Sequence, residues 1–263
     1  MIVVAIQARM GSSRLPKKVL MPLGVTTVID HVIARCGEID AGETALLTTT
    51  DAVDDVLVRR VESYYNYETT HPPLVTIYRG HSVNVLDRYY QFVQAWNRLT
   101  PLYPIDTIVR ITGDCPIFDP ELVNSLISLY NRGGYDYCSL VGWPDGLDAE
   151  VFSVGALTRA WNEATLPSEQ EHVTPYIWKN KDKFKVGHLS PSFPVDISHF
   201  RWCVDEQADL DLVRRMVDDL GDNFGVMAAL GWSFTHPELA SGNAHIKRNE
   251  GYARSLMDDA NDK

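Results

Sequence analysis

The chain has 263 residues, 45% of them hydrophobic, which is enough to bury a substantial core as one large α/β domain or two smaller ones. With 35 acidic against 24 basic residues and a formal charge of -11, a broad nucleic-acid surface is disfavoured, since it would need a basic face. No apolar run reaches membrane-spanning length and no signal-peptide pattern precedes the first strand, so a soluble, cytoplasmic protein is expected. Cys36, Cys115, Cys138 and Cys203 lie far apart with no C-x-x-C pair, which points to reduced thiols rather than a disulfide framework or zinc ribbon.

Ile2 to Ile6 is a short apolar run that reads as a buried strand, and it feeds directly into a Gly/Ser turn carrying Arg9, Arg14, Lys17 and Lys18. No acidic residue appears before Asp30. In an acidic chain such a segment concentrates positive potential. Gly11 lets the backbone approach an anion, Ser12 and Ser13 add donors, and the cations neutralise charge, which is how a phosphate cradle is built. A solvated basic loop is the alternative. The G-x-x-x-x-G-K-[ST] spacing of a P-loop is absent.

Thr27 can cap a helix whose apolar positions Val28, Ile29, Val32, Ile33 and Cys36 recur at helical spacing. Ala45 to Thr50 reads as a second strand ending at Asp51, with Asp54 and Asp55 placed to cap the next helix. Leu74 to Tyr78 is a third strand. It precedes a helix over 85–98 whose buried face carries Leu86, Tyr89, Tyr90, Val93 and Trp96. Arg88 on that helix either reaches a ligand or pairs with a carboxylate. The next strand, Thr107 to Ile111, runs into Thr112-Gly113-Asp114-Cys115-Pro116, where Asp114 is either a turn former or a carboxylate placed to hold a hard cation. Asp119-Pro120 reads as the N-cap and first residue of a helix reaching Tyr130.

Tyr135 to Val141 is strand-like, and a turn at 143–146 leads to a strand on which Asp148 and Glu150 share a face. Lys185 to Leu189 and Arg201 to Val204 read as later strands. Asp205 then opens a helix carrying Leu210, Val213, Met216 and Val217, with Asp209 one turn on. Residues 1–256 form one domain and 257–263 a frayed polar tail. Strands alternating with helices predict an α/β fold: an open, mainly parallel sheet with helices on both faces and ligands at the strand carboxyl ends.

The opening IQARMGSSRLPKKVL resembles the signature of the cytidylyltransferases that activate sugar acids such as 3-deoxy-manno-octulosonate and sialic acid. It is most similar to the group named after spore coat polysaccharide biosynthesis protein F. RGHSVNVLDRYYQF, TGDCP, the G-x-D-x-EVF pattern ending at Phe152, EHVTP, WCVDEQADLDLV and NAHIKRNEGYARSL resemble that group in the same order. Lys17 stands where its members carry Gly, Asn84 where an acid is usual, and Gln170 where an Arg is usual.

The resemblance implies a nucleotide-diphosphosugar transferase (Rossmann-like) fold, often dimeric. It implies that Arg9, Ser12, Arg14 and Lys18, with the amides of the Gly11 turn, hold the triphosphate of CTP, with Ala8, Thr49, Asp51 and Thr112 also on the nucleotide. Asp114 and Asp205 would hold Mg²⁺ and, with Arg14 and Lys18, form the catalytic set. Arg88, Asp148, Glu150, Glu171 and His172 would meet a small anionic, sugar-like acceptor. The implied reaction moves CMP from CTP to a sugar acid or a phosphorylated acceptor, releasing pyrophosphate, in polysaccharide or glycoconjugate precursor synthesis. A metal-dependent glycosyltransferase consuming a nucleotide sugar and a noncatalytic nucleotide-binding module are the rival readings.

Overall fold

The computed structural model describes residues 1–66 and 74–261. Its strands are β1 (Ile2–Gln7), β2 (Pro22–Leu23), β3 (Thr26–Thr27), β4 (Glu43–Thr49), β5 (Val75–Gly80), β6 (Thr107–Thr112), β7 (Tyr137–Leu140), β8 (Ala149–Ser153) and β9 (Val186–Leu189). Its helices begin with α1 (Val28–Cys36), α2 (Asp55–Val61), α3 (Val85–Leu99), α4 (Pro120–Gly133), α5 (Val154–Glu163) and α6 (Pro167–His172). They continue with α7 (Pro175–Lys179), α8 (Gln207–Leu220), α9 (Val226–Thr235), α10 (Pro237–Ala240) and α11 (Glu250–Asn261). Among the described residues, no helix is long and apolar enough to cross a membrane.

One seven-stranded sheet, ordered β5-β4-β1-β6-β8-β7-β9, carries the fold. β1 pairs in parallel with both β4 and β6, β4 with β5, and β7 with β9, whereas β8 runs antiparallel to β6 and β7. The expected mainly parallel sheet is therefore present, with one strand reversed. Alternation along each strand divides the core. Val4 and Ile6 of β1, Leu46 of β4 and Val109 and Ile111 of β6 pack with α1, α4 and α8 on one face. Val3, Ala5, Leu47 and Ile108 pack with α3 and α5 on the other. Strands buried on both faces explain why the sequence shows continuous apolar runs here.

Helix starts follow the capping chemistry. Thr27 and Asp30 form a capping box on α1, and Asp119 accepts from the N–H groups of Glu121 and Leu122 with Pro120 behind it. Two expectations are corrected. Arg201 to Val204 is not a strand, because a single bridge joins Asp145 to Arg201 and the N–H of Val204 is then taken by the carbonyl of Asp114. The segment from residue 257 is not a frayed tail either. α11 continues to Asn261, and Asp259 is buried, accepting from the Ser168 N–H at 2.9 Å and its hydroxyl at 2.6 Å. Ser255 and Asp259, four residues apart, present one polar face to α6. Residues 262–263 lie outside the described residues.

Candidate active site

The first basic loop leaves the carboxyl end of β1 and is pinned by its apolar members. Met10 and Leu15 are buried, and the Met10 carbonyl accepts from the N–H groups of Ser12 and Lys17 at 3.0 and 3.3 Å. The Met10 N–H in turn donates to Asp54 at 2.6 Å. Arg9 and Gly11 to Arg14 line a cavity of about 400 Å³ together with Ala8 and Lys18. A Cβ on Gly11 would meet nothing within 4 Å, so the glycine faces open cavity rather than a crowded turn. Lys17 has φ 62°, in the left-handed region that glycine occupies without strain. Lys17→Gly is expected to stabilise the protein by about 0.5–1 kcal/mol, the strain relieved less the entropy that glycine adds to the unfolded chain. A urea midpoint at or below that of the parent would rule this out.

β6 ends beside β1, and Gly113 permits the contact. Its N–H donates to the Gln7 carbonyl at 2.9 Å, and a Cβ there would come within 2.7 Å of the Ala8 Cβ. Asp114 follows at once. Its Oδ2 accepts from Lys18 Nζ at 2.5 Å, and Asp205 Oδ1 accepts from the same ammonium at 2.7 Å. Two aspartates 91 residues apart in the chain thus converge on one cation. Burial pushes the Lys18 ammonium down, but Asp114 and Asp205 outweigh it and hold its pKa above the ordinary lysine value. Burial would raise Asp205, yet Lys18, Arg14 and Arg201 outweigh it and lower Asp205 to about 2.

A carboxylate depressed in the folded state contributes stability that is complete above its unfolded pKa of about 3.9 and is lost as pH falls through the folded value. In metal-free buffer the stability advantage of the parent over Asp205→Asn should be full at pH 6 and shrink from about pH 4 to about pH 2. Equilibrium denaturation across that range checks it, and a pH-independent difference would contradict it.

A second cavity, also about 400 Å³, opens on the β8 side. Arg14, Thr112, Asp114, His172, Asp205 and Gly251 line both cavities, so the two form lobes of one cleft that meet at the aspartate pair. The first lobe is lined by five cationic side chains, Arg9, Arg14, Lys18, Arg88 and Arg254, against three carboxylates. The second carries Asp145, Asp148, Glu150 and Glu250 in addition to the shared pair. Its cations are committed: Arg14 to Asp205 and Glu250, Arg110 to Glu150 and Gln7, and Arg201 to Asp145, Asp205 and Asp209. One lobe suits a polyanion, the other a ligand rich in hydroxyl groups.

Two carboxylates aimed at one point form a hard-oxygen donor set suited to a divalent cation. Cys203, Asp205 and Asp209 also lie within 4.8 Å of one another, but they fit a metal less well. Asp209 is saturated by Arg201, Asn243 and the N–H groups of Asp205 and Glu206, and burial holds the Cys203 thiol protonated.

A cytidylyltransferase family model matches residues 3–218, which includes β1, the basic loop, Asp114 and Asp205. The chain belongs to the cytidylyltransferase family. It is 32% identical to an uncharacterised protein of Methanocaldococcus jannaschii, over 94% of this chain and 96% of that one. It is 29% identical to the spore coat polysaccharide biosynthesis protein SpsF of Bacillus subtilis, over 87% and 91%. Among solved structures, a cytidylyltransferase from Leptospira borgpetersenii superposes with a TM-score of 0.79 at 27% identity, covering 91% of this chain and 96% of that one. The protein is therefore a CTP-dependent nucleotidyltransferase, and the glycosyltransferase and noncatalytic readings are not favoured.

Several residues of this cytidylyltransferase stand elsewhere than expected. Thr49 does not face the cleft. It is buried, and its hydroxyl donates to Asp54. Asp51 is exposed and accepts from the Ser82 hydroxyl at 2.7 Å. Arg88 lines the basic lobe, not the acidic one. It is 1% exposed, and its guanidinium donates to the carbonyls of His81 and Ser82, so it shapes the loop after β5 and, among the described residues, pairs with no carboxylate and does not line the second lobe. Thr112 lines both lobes with its hydroxyl 3.1 Å from Cys115 Sγ.

Asp148 and Glu150 both line the second lobe. Glu150 accepts from Tyr137 and Thr174 at 2.6 Å as well as from Arg110, so its two oxygens are already occupied. Glu171 and His172 reach the cleft from α6 and meet the Ser255 hydroxyl of α11 at 2.6 and 3.1 Å. Burial lowers the His172 pKa, which keeps the ring neutral.

Asp54 was expected only as a helix cap, and Arg110, Asp145, Arg201 and the α11 residues Glu250, Tyr252 and Arg254 were not among the expected site residues. An arginine inside the apolar run Thr107 to Ile111 was the available signal for Arg110. Burial raises Asp145 to about 7, with Asp148 adding to the shift and Arg201 and Arg248 opposing it.

Proposed function

We propose that this cytidylyltransferase binds the triphosphate of CTP with Mg²⁺ in the basic lobe and a sugar-like acceptor, either a sugar acid or a phosphorylated compound, in the other. An acceptor oxygen attacks the α-phosphorus, and pyrophosphate leaves toward the loop at Gly11 to Arg14. The reading rests on one observation above all: the two lobes meet at Asp114 and Asp205, which share Lys18. Asp114 and Asp205 would hold the cation, which when bound supplies Lewis-acid neutralisation of the phosphate oxygens.

Lys18 and Arg14 bring positive charge to the same place, and a preorganised charge of this kind needs no reorganisation as the leaving group develops its own. Arg14 now contacts Asp205 at 3.0 Å and Glu250 at 3.2 Å. A bound triphosphate would compete with those carboxylates for its guanidinium. The resemblance to the spore coat group supports a role in polysaccharide precursor synthesis and action as a cytoplasmic homodimer.

With Mg²⁺ present, CTP should raise the melting temperature more than UTP, ATP or GTP, and Arg14→Ala should remove most of that rise. Pyrophosphate release with CTP and a panel of sugar acids and sugar 1-phosphates then identifies the acceptor. Equal stabilisation by all four nucleotides would overturn the cytidylyl preference.

A further inference from the structure

The second lobe has an aromatic wall built by two elements outside the strand ends, with the Lys179 ammonium 5.7 and 5.6 Å from its Trp178 and Tyr252 rings. α7 turns its Tyr176 and Ile177 into the core, which leaves Trp178 half-buried at the cavity. α11 brings Tyr252, also half-buried, against it, with ring centroids 5.9 Å apart at 65°. The His172 ring meets Tyr252 edge to face at 5.1 Å. All three rings line the cavity, and so do carboxylates and hydroxyls at the ends of β7 and β8, with Ser139 and Asp148 among them.

An aromatic wall in a cavity with polar groups matches a molecule that is itself two-sided. A pyranose presents C–H groups on its ring face and hydroxyls around its edge. The C–H face removes aromatic surface from water, while the hydroxyls keep hydrogen-bond partners. A flat nucleobase would stack equally well, but cytosine brings a single amino group to these acceptors, whereas a pyranose brings several hydroxyls.

We propose that Trp178 and Tyr252, set edge to face and buttressed by His172, form an aromatic corner against which the C–H face of the acceptor's sugar ring packs, so that α11 completes the acceptor site. The inference rests on the assignment of the second lobe to a sugar-like acceptor. α11 is held for this role at both ends of the cleft. Arg248, just before it, donates to Asp148 at 2.7 Å and to the Trp143 carbonyl at 2.8 Å, and Ser255 donates to Glu171. Tyr252 and Trp178 are specificity-determining groups in this scheme, with no part in bond making.

The test uses the full chain labelled with ¹⁵N-tryptophan, its Trp178 indole resonance assigned by loss in Trp178→Phe. 3-Deoxy-manno-octulosonate, N-acetylneuraminate and glucose 1-phosphate are titrated separately, and Mg²⁺-CTP in a parallel arm. At least one sugar is expected to shift the Trp178 resonance. Tyr252→Ala should weaken that sugar tenfold or more while CTP affinity changes less than twofold, and Tyr252→Phe should restore sugar binding. If none of the three sugars moves Trp178, or if Tyr252→Ala binds the sugar as the parent does, the corner is only a packed cluster and the proposal fails. The CTP arm reports on the nucleotide assignment by itself, so a failure there is distinguishable from a failure here.

Discussion

Lys18→Met should lower kcat/KM by about 10²–10³, the loss seen when one preorganised charge-stabilising donor is removed from an active site. Methionine nearly matches the length of the lysine stem and keeps its packing, so the change isolates the ammonium. That ammonium is buried, and it is the contact shared by Asp114 and Asp205. Without it Asp205 retains Arg14 and Arg201, but Asp114 faces Asp205 with no intervening charge.

The stability cost should be about 3 kcal/mol, the lower end for a broken buried pair. The aspartates keep 25% and 20% of their side-chain surface in water, which places the cost there. A divalent cation can replace the missing charge, so Mg²⁺ should raise the melting temperature of the variant more than that of the parent. Asp114→Asn should abolish turnover with the fold intact. Pyrophosphate-release kinetics and Mg²⁺ melts measure both effects. If Lys18→Met keeps its activity within threefold, the ammonium is structural and the chemistry lies elsewhere in the cleft.

How much of this was legible in the chain depended on how local the determining contacts are. The β1 and β6 strands, the Thr27 and Asp119 caps and the basic loop are written within a few residues each, so the fold class and the strings around Lys18 and Asp114 could be read directly. Asp209 shows the limit. At the start of a helix an aspartate reads as a dipole partner, and it does accept from the N–H groups of Asp205 and Glu206. Only the folded chain adds Arg201 and Asn243, which make it fully buried and satisfied.

Arg201 to Val204 misled for a related reason. Its residues are buried as in a strand, but their backbone groups bond to Asp145 and Asp114, segments far away in the chain. The end of the chain misled because polar composition suggests fraying, whereas the buried Asp259 carboxylate on Ser168, with Ser255 on Glu171, ties α11 to α6. Burial and long-range partners are tertiary facts, and local pattern carries little of them.

Asp54→Ala separates the two roles that an aspartate before α2 can have. As a helix cap alone it would contribute about 1 kcal/mol, and its loss would leave nucleotide binding unchanged. The structure gives it a different task. One oxygen accepts from the Met10 N–H, and the other from the Thr48 hydroxyl and from both the N–H and the hydroxyl of Thr49. At 1% exposure water cannot replace these bonds. The hydroxyls can rotate to new partners, but the two backbone N–H groups cannot, so the expected destabilisation is about 3–4 kcal/mol, from a charged acceptor lost to fixed buried donors.

The Met10 N–H is the tie that fixes the loop presenting Gly11 to Arg14, and a displacement on the order of 1 Å in a binding loop can cost about 10²-fold in rate. The CTP KM should therefore rise by about 10- to 100-fold, while the acceptor KM, set across the aspartate pair, changes little. Asp54→Asn should fall between, because its amide keeps one acceptor and turns an NH₂ toward donors. Urea denaturation together with the two KM values decides the matter: a loss near 1 kcal/mol with CTP binding intact would return Asp54 to the role of a cap.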